Sequence, residues 1–418
     1  MAGRRGVTAE VLAALALFVV VALVSWAAQR PISNNQGKGW DGIEYYAMAE
    51  QIGSGLPLEA RAPQVYRPGV PLLVALLPGD DIILKFGLVN LFAAGVSVGL
   101  LVVWLRMFVR ARWVRAVLVV LFVTQWHGWA RYVFFHPVHV DPWFVACLLG
   151  GLIVVHRLGR ERTDAALIGA LSAITFAGVL FREAAMVLPA ALLTRDVLSP
   201  RARRAMVDFV PLAAGVAAMA LVRWPGGPFA AHQSHPYDFV DVAVMWLYEK
   251  PFPTYVHAWF IAFGPVLVLA IYFARDALRL VGRNPYMGTV LGAFAVAGWV
   301  GGTDTERLLY WSFPVVYAAL GVVIERHVGL LASVPLAAVL VAAQAVAQRL
   351  FWTLPDYPNN YPRAPMLLTP LGSRFPHLDL YSWHPPREVS GVSLAQYLAL
   401  ALVLAGWLAY RRVRIRRG

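Results

Sequence analysis

Apolar residues in this chain come in long blocks, with little alternation of polar and apolar positions. The first block, "VLAALALFVVVALVSWAA" from Val11 to Ala28, carries no charge. A run of about 18 or more such residues is long enough to cross a bilayer as a helix. Twelve helices are predicted, over 8–28, 82–105, 115–128, 141–156, 164–181, 184–194, 207–222, 256–274, 286–300, 308–324, 329–347 and 392–410. Those at 115–128 and 184–194 are short, so each is predicted to be tilted, re-entrant or longer than its apolar run. The expected fold class is all-α: a polytopic membrane protein of about 12 transmembrane helices in a single domain over 1–418, with no soluble domain.

The polar segments between these blocks are unequal. One set is short and basic. The other comprises 29–81, 129–140, a tight hairpin at Arg182–Glu183, 223–255, 301–307 and 348–391, and its longer members are rich in Pro, Trp, Tyr and His. In the first, "GKGWDGIEYYAMAEQI" places Ile43, Tyr46, Ala47 and Ile52 at helical spacing between Gly42 and Gly53. That pattern predicts an interfacial helix lying at headgroup depth, its aromatics anchoring it there.

Charge orients the chain. Of 36 Lys and Arg residues, 22 fall in the short segments on one side, from Arg4–Arg5 and Arg106–Arg115 to the tail Arg411–Arg417. By the positive-inside rule both termini are cytoplasmic and the long segments face outward, as in an integral plasma (inner) membrane protein. The tail "RRVRIRRG" reads as an orientation signal beside anionic lipid, which accounts for the net charge of +13 without nucleic acid. Composition agrees, with 59% hydrophobic and 14% charged residues against about 25% charged in soluble domains. Cys147 is the single cysteine, which excludes an intramolecular disulfide. The "MAGRRG" start followed by an apolar run and "SWAAQ" mimics a secretory signal, but the run is long for a cleaved one and is expected to be retained as an anchor.

Candidate chemistry gathers on the outer side. Asp41 opens the interfacial helix; it either caps the helix or serves as a general base toward an acceptor hydroxyl. Glu44, one turn on, is a second acid or a solvated surface group. Arg67, in "YRPG", either holds a phosphate with its planar fork or snorkels at the boundary. "ARYVFFHPVHVDPWF" packs Arg131, His136, His139 and Asp141 into one segment. Its His-x-x-His followed by Asp is a weak metal pattern, and Asp141 before Pro142 also suits a helix start. Arg182 and Glu183 sit at a hairpin apex, where ionisable groups face a cavity or pair with each other. In "GGTDTERLLYWSFP", Asp304, Glu306 and Arg307 precede an aromatic-rich helix, so that Arg307 is placed to grip a lipid phosphate. The aromatic, Pro and Asn residues of 223–255 and 348–391 suit a sugar-binding lining or a stiffened lid.

No Walker A, no Gly-rich dinucleotide fingerprint after a strand and no Gly-x-Ser-x-Gly is present. An outer-face enzyme without a nucleotide site needs a donor that lives in the membrane. A transporter or flippase would carry ionisable groups in mid-helix and paired broken helices, whereas these charges cluster at helix ends. A polymerase or ligase of lipid-linked glycans would also use outer arginines but needs no first-loop acid.

Together "WDGIEYY", "HVDPW" and "TERLLYWSFP" resemble the GT-C superfamily of membrane glycosyltransferases, the group of protein O-mannosyltransferases and aminoarabinose transferases. The likeness covers roughly the first 190 residues and 301–315. It implies a polyprenyl-phosphate sugar donor, a glycan, lipid or protein acceptor, and contact with membrane lipid. It implies Asp41 as catalytic base, Asp141 as second acid, and Arg307 as phosphate ligand, with Arg67, Arg131 and Arg182 as further donor-phosphate candidates. Glu44, His136 and His139 are acceptor-binding candidates, and Glu183, Asp304 and Glu306 supporting groups. No cofactor is required by this chemistry and a divalent metal is not expected. Where the superfamily usually has an Asp-Glu pair, this chain has Asp41-Gly42.

Overall fold

The computed structural model describes residues 2–126, 128–158, 165–197, 205–224, 239–302, 304–331, 334–348, 350, 353–354 and 391–417. In chain order the helices are α1 (Ala2–Ala28), α2 (Gly42–Gly53), α3 (Gly69–Ala75), α4 (Ile82–Leu105), α5 (Arg112–Thr124), α6 (Trp129–Phe135) and α7 (Asp141–Leu158). Next come α8 (Ala165–Phe181), α9 (Val187–Val197), α10 (Ala205–Arg223), α11 (Phe239–Glu249), α12 (Phe252–Phe263), α13 (Leu267–Tyr272) and α14 (Ala274–Arg283). The last are α15 (Pro285–Val300), α16 (Thr305–Tyr310), α17 (Phe313–Arg326), α18 (Val328–Leu331), α19 (Val334–Ala347) and α20 (Gly391–Arg417). Among the described residues there is no strand.

This is an all-α membrane protein. Among the described residues three helices are long and apolar enough to span a bilayer alone, within α1 (Gly6–Ala28), α4 and α7; shorter apolar helices include α8, α15 and Val334–Ala345. α1 turns Leu12, Leu23 and Trp26 outward, 61%, 56% and 70% exposed. Such a row would be a liability in water and is the expected coat of a helix facing lipid tails. At the centre, α17 is buried along every residue from Phe313 to Ile324. Helix α7 packs between α4 and α8, α10 lies on α8 and α9, and α16 sits between α12 and α15.

Helix ends follow local chemistry. Asp81 starts α4 by accepting the Leu84 N–H at 2.9 Å, an N-cap of the expected kind. The helix predicted over 256–274 is two, because the chain turns at Gly264, where φ is +72°. The opened backbone is satisfied from α19: Gln344 donates to the Phe263 carbonyl at 2.8 Å and accepts the Val266 N–H at 3.0 Å. A side chain at Gly264 would strike that amide. The helix predicted over 308–324 also breaks in two. Ser312 turns back to the Leu309 carbonyl at 2.7 Å and Pro314 starts α17, where its missing N–H costs nothing.

Other boundaries shift. The helix predicted at 115–128 ends at Thr124, and α6 occupies part of the segment read as a loop. The one predicted at 184–194 is a 3-10 turn (Glu183–Met186) leading into α9. Segments read as loops also contain α11 and the amphipathic α14. In the predicted interfacial helix, which is α2, the face differs from expectation: Tyr45, Met48 and Ala49 are buried, whereas Ile43 is 42% exposed. The aromatic-rich stretches of 226–238 and 355–370 lie outside the described residues.

Candidate active site

Asp141 is the first residue of α7 and is only 1% exposed. An isolated carboxylate at such depth would be strongly disfavoured, so it must be paired. Arg182, at the turn between α8 and α9, donates to its Oδ1. The same guanidinium lies over the Trp311 ring, 4.5 Å from its centroid, a cation–π contact that fixes its plane. From α16, Arg307 brings Nε to 3.7 Å from Asp141 Oδ2. Neither of those two atoms makes a hydrogen bond. Arg307 Nη2 instead donates to Asp304 Oδ2 at 2.5 Å.

Beside this group, Arg67 forms a two-pronged pair with Glu183, Nε to Oε2 at 2.8 Å and Nη2 to Oε1 at 2.5 Å. Its third arm donates to the Tyr45 hydroxyl of α2 at 3.2 Å. Burial alone would raise the Glu183 pKa; the Arg67 charge and hydrogen bonds, helped by Arg182, override it and bring it down to about 2. Arg67, Arg182 and Arg307 all act electrostatically on Asp141, so two buried cations and one partly exposed one, from three separate chain segments, converge there.

Asp41 stands at the N-terminal end of α2 with its side chain exposed. Its carboxylate makes no capping hydrogen bond; the main-chain carbonyl accepts the Glu44 N–H at 3.1 Å instead. The Asp41 charge is felt by Arg307, His136, Tyr132 and Tyr45, which places it at the same end of the bundle as the buried cluster. Asp41, Asp141 and Arg307 therefore gather, although 266 positions separate the outer two.

The segment behind Asp41 is held by the loop between α6 and α7. His136 Nε2 lies 3.1 Å from the Lys38 carbonyl, and Trp40 meets the His136 ring edge-on. Asn90 of α4 donates to the carbonyls of Pro137 and His139 at 2.9 and 2.8 Å. Burial holds His136 down to about 4 and His139 to about 3, so both rings are neutral near pH 7. Among the described residues no group of three His, Cys, Asp or Glu side chains is arranged to hold a metal ion. The Asp41-Gly42 sequence has a steric cause: a Cβ at Gly42 would run into the Val138 carbonyl and the His136 ring.

The remaining candidates have other partners. Glu44 accepts the Arg61 N–H at 2.9 Å and pins the chain after α2. Arg131 is buried and donates from Nη1 to the carbonyls of Thr124 and Gln348, tying α5 to the end of α19. Glu306 is buried on α16. Lys250 was not singled out in the sequence. Its ammonium donates to the carbonyls of Gly298 and Gly302 at 2.7 and 2.8 Å. Burial lowers it to about 8 against the opposing pull of Glu306 and Asp304. The available signal was a lone lysine before Pro251 in an otherwise apolar, aromatic stretch.

These elements define a polytopic all-α membrane protein with a cluster of arginines and carboxylates at one end of its bundle. The fold is similar to the crystal structure of ArnT from Cupriavidus metallidurans bound to undecaprenyl phosphate, with a TM-score of 0.53 and 16% identity, covering 97% of this chain and 78% of that one. No protein-family model and no curated protein sequence matches the chain.

Proposed function

We propose that this chain is a membrane glycosyltransferase that moves a sugar from a polyprenyl-phosphate donor to an acceptor hydroxyl on the outer membrane face. The observation that carries the reading is Asp41: an exposed carboxylate with no capping role, set at the same end of the bundle as Arg307, Arg182 and Arg67. The similar fold of a protein bound to undecaprenyl phosphate supports the donor class.

In this reading Asp41 takes the proton of the acceptor hydroxyl. The hydroxyl oxygen forms a bond to the anomeric carbon as the bond from that carbon to the phosphate oxygen breaks. The electron pair leaves with the lipid phosphate. Arg307 is the best-placed group to receive that charge, because it is the most exposed of the three arginines, with 18% of its side chain accessible, and its neighbour Asp304 is partly exposed. Arg67 and Arg182 have their forks committed to Glu183 and to Asp141 with Trp311; they set the positive field and fix Asp141 in place. The acceptor is a glycan, lipid or protein hydroxyl. Distribution of the basic residues supports cytoplasmic termini and an outward site.

The test is reconstitution with a panel of radiolabelled polyprenyl-phosphate sugars, comparing the wild type with Asp41→Asn. Transfer by the wild type that disappears in the variant supports the assignment. Transfer undiminished in Asp41→Asn removes Asp41 as the base, and absence of transfer from every donor together with substrate uptake into vesicles identifies a transporter instead.

A further inference from the structure

The opposite end of the bundle holds a second polar feature. Helices α4 and α17 both run away from the Asp41 end: Asn90 of α4 holds the loop before Asp141, and α17 follows Trp311. From Asn90 to Arg106 is 16 residues, roughly 24 Å of helix. There, Arg106, Arg110, Arg283, Asn284, Glu325 and Arg326, backed by apolar side chains, line a cavity of about 800 Å³.

Its charges do not balance. Arg106 is answered by Glu10 at 2.9 Å and Arg326 by Asp276 at 2.7 Å. Glu325 spends its carboxylate on the backbone, accepting the N–H groups of Arg110 at 3.1 Å and Ala111 at 2.8 Å. Among the described residues, Arg110 and Arg283 have no ion-pair partner. Two exposed guanidinium forks on the wall of a concave site are chemistry for an oxyanion.

The surroundings say which oxyanion. Arg283 closes α14, whose Leu278 is 67% exposed while its Arg275 and Arg279 are also exposed. Just before it, Ile271 is 60% exposed. A short helix with that mixture lies in the plane of the bilayer interface. The cavity therefore opens where lipid headgroups are, and basic pockets between membrane helices are suited to acidic ones. The geometry points to a binding site for the phosphate headgroup of an acidic phospholipid, formed by Arg110 and Arg283 at the end of the bundle remote from Asp41.

The site is tested on the full chain in a neutral detergent, by following the thermal unfolding midpoint as dioleoylphosphatidylglycerol, dioleoylphosphatidylcholine or inorganic phosphate is added. Phosphatidylglycerol raises the wild-type midpoint saturably and the other two do not. In Arg110→Gln/Arg283→Gln the apparent affinity for phosphatidylglycerol falls on the order of tenfold, whereas Arg275→Gln, on α14 but off the cavity wall, keeps it. If the double variant does not fold, Arg283→Gln alone shows the same direction at about threefold. An undiminished response in the cavity variants, or an equal response to phosphatidylcholine, overturns the site. An equal response to inorganic phosphate overturns the lipid as its source.

Discussion

Arg67 and Glu183, 116 residues apart, are locked side to side by two hydrogen bonds at 2.8 and 2.5 Å, and this pair joins the segment after α2 to the turn after α8. Removing one partner of a buried pair leaves the other charge stranded. Glu183 is partly exposed, with 37% of its side chain accessible, so the cost is discounted for solvent screening. Glu183→Gln is expected to destabilise the protein by about 2 kcal/mol, read as a lower unfolding midpoint in detergent.

The same pair sets a pH dependence. Folding depresses Glu183 from 4.5 to about 2, so its stabilisation is complete above the unfolded value and is lost as pH falls through that window. Unfolding midpoints measured from pH 6 downward should therefore drop between about 4.5 and 2 in the wild type. The portion of that drop due to Glu183 should vanish in Glu183→Gln.

Asp41→Asn separates chemistry from stability. Its carboxylate caps nothing, so the midpoint should stay within ~0.5 kcal/mol of wild type, the range of ordinary surface changes. Sugar transfer, if Asp41 is the base, should fall by about 10²-fold or more.

Arg307→Lys keeps the charge and loses the fork. The pairing with Asp304 survives in weaker form, but the second donor toward a phosphate does not. The turnover rate should fall by about 10²-fold, and an unchanged rate with only a higher KM would place Arg307 in ground-state binding alone.

Gly42→Glu would place a second acid directly after Asp41 and should be harmful here. Its Cβ meets the Val138 carbonyl and the His136 ring. Overpacking of this kind costs about 1–3 kcal/mol, so lower thermal stability is expected, with lower transfer because the clash sits next to Asp41.

The class and the amphipathic α2 were legible from apolar block length and from "WDGIEYYAMAEQIG". Which face of α2 is buried was not. With apolar residues on several sides, spacing cannot distinguish the side that meets protein from the side that meets lipid; Tyr45, Met48 and Ala49 are buried and Ile43 is not. Arg131 and Arg307 look alike in sequence, each an arginine beside aromatics. Only the fold separates them, one tied to the carbonyls of Thr124 and Gln348, the other beside Asp141. Lys250 escaped notice because its partners are main-chain carbonyls of Gly298 and Gly302, about 50 positions downstream, and such groups leave no trace in side-chain patterns.

The break at Gly264 is clasped by Gln344, and α12, which ends there, packs on α16, the helix that carries Arg307. Arg131 leans on the same stretch through Gln348. The pairing of Asp141 with Arg182 is complete within the first half of the chain, but the support beneath Arg307 comes from residues near 344–348. During synthesis, then, Asp141 and Arg182 are both made long before Arg307 and the residues that support it, so the cluster is complete only once the segment around 344–348 has joined the bundle.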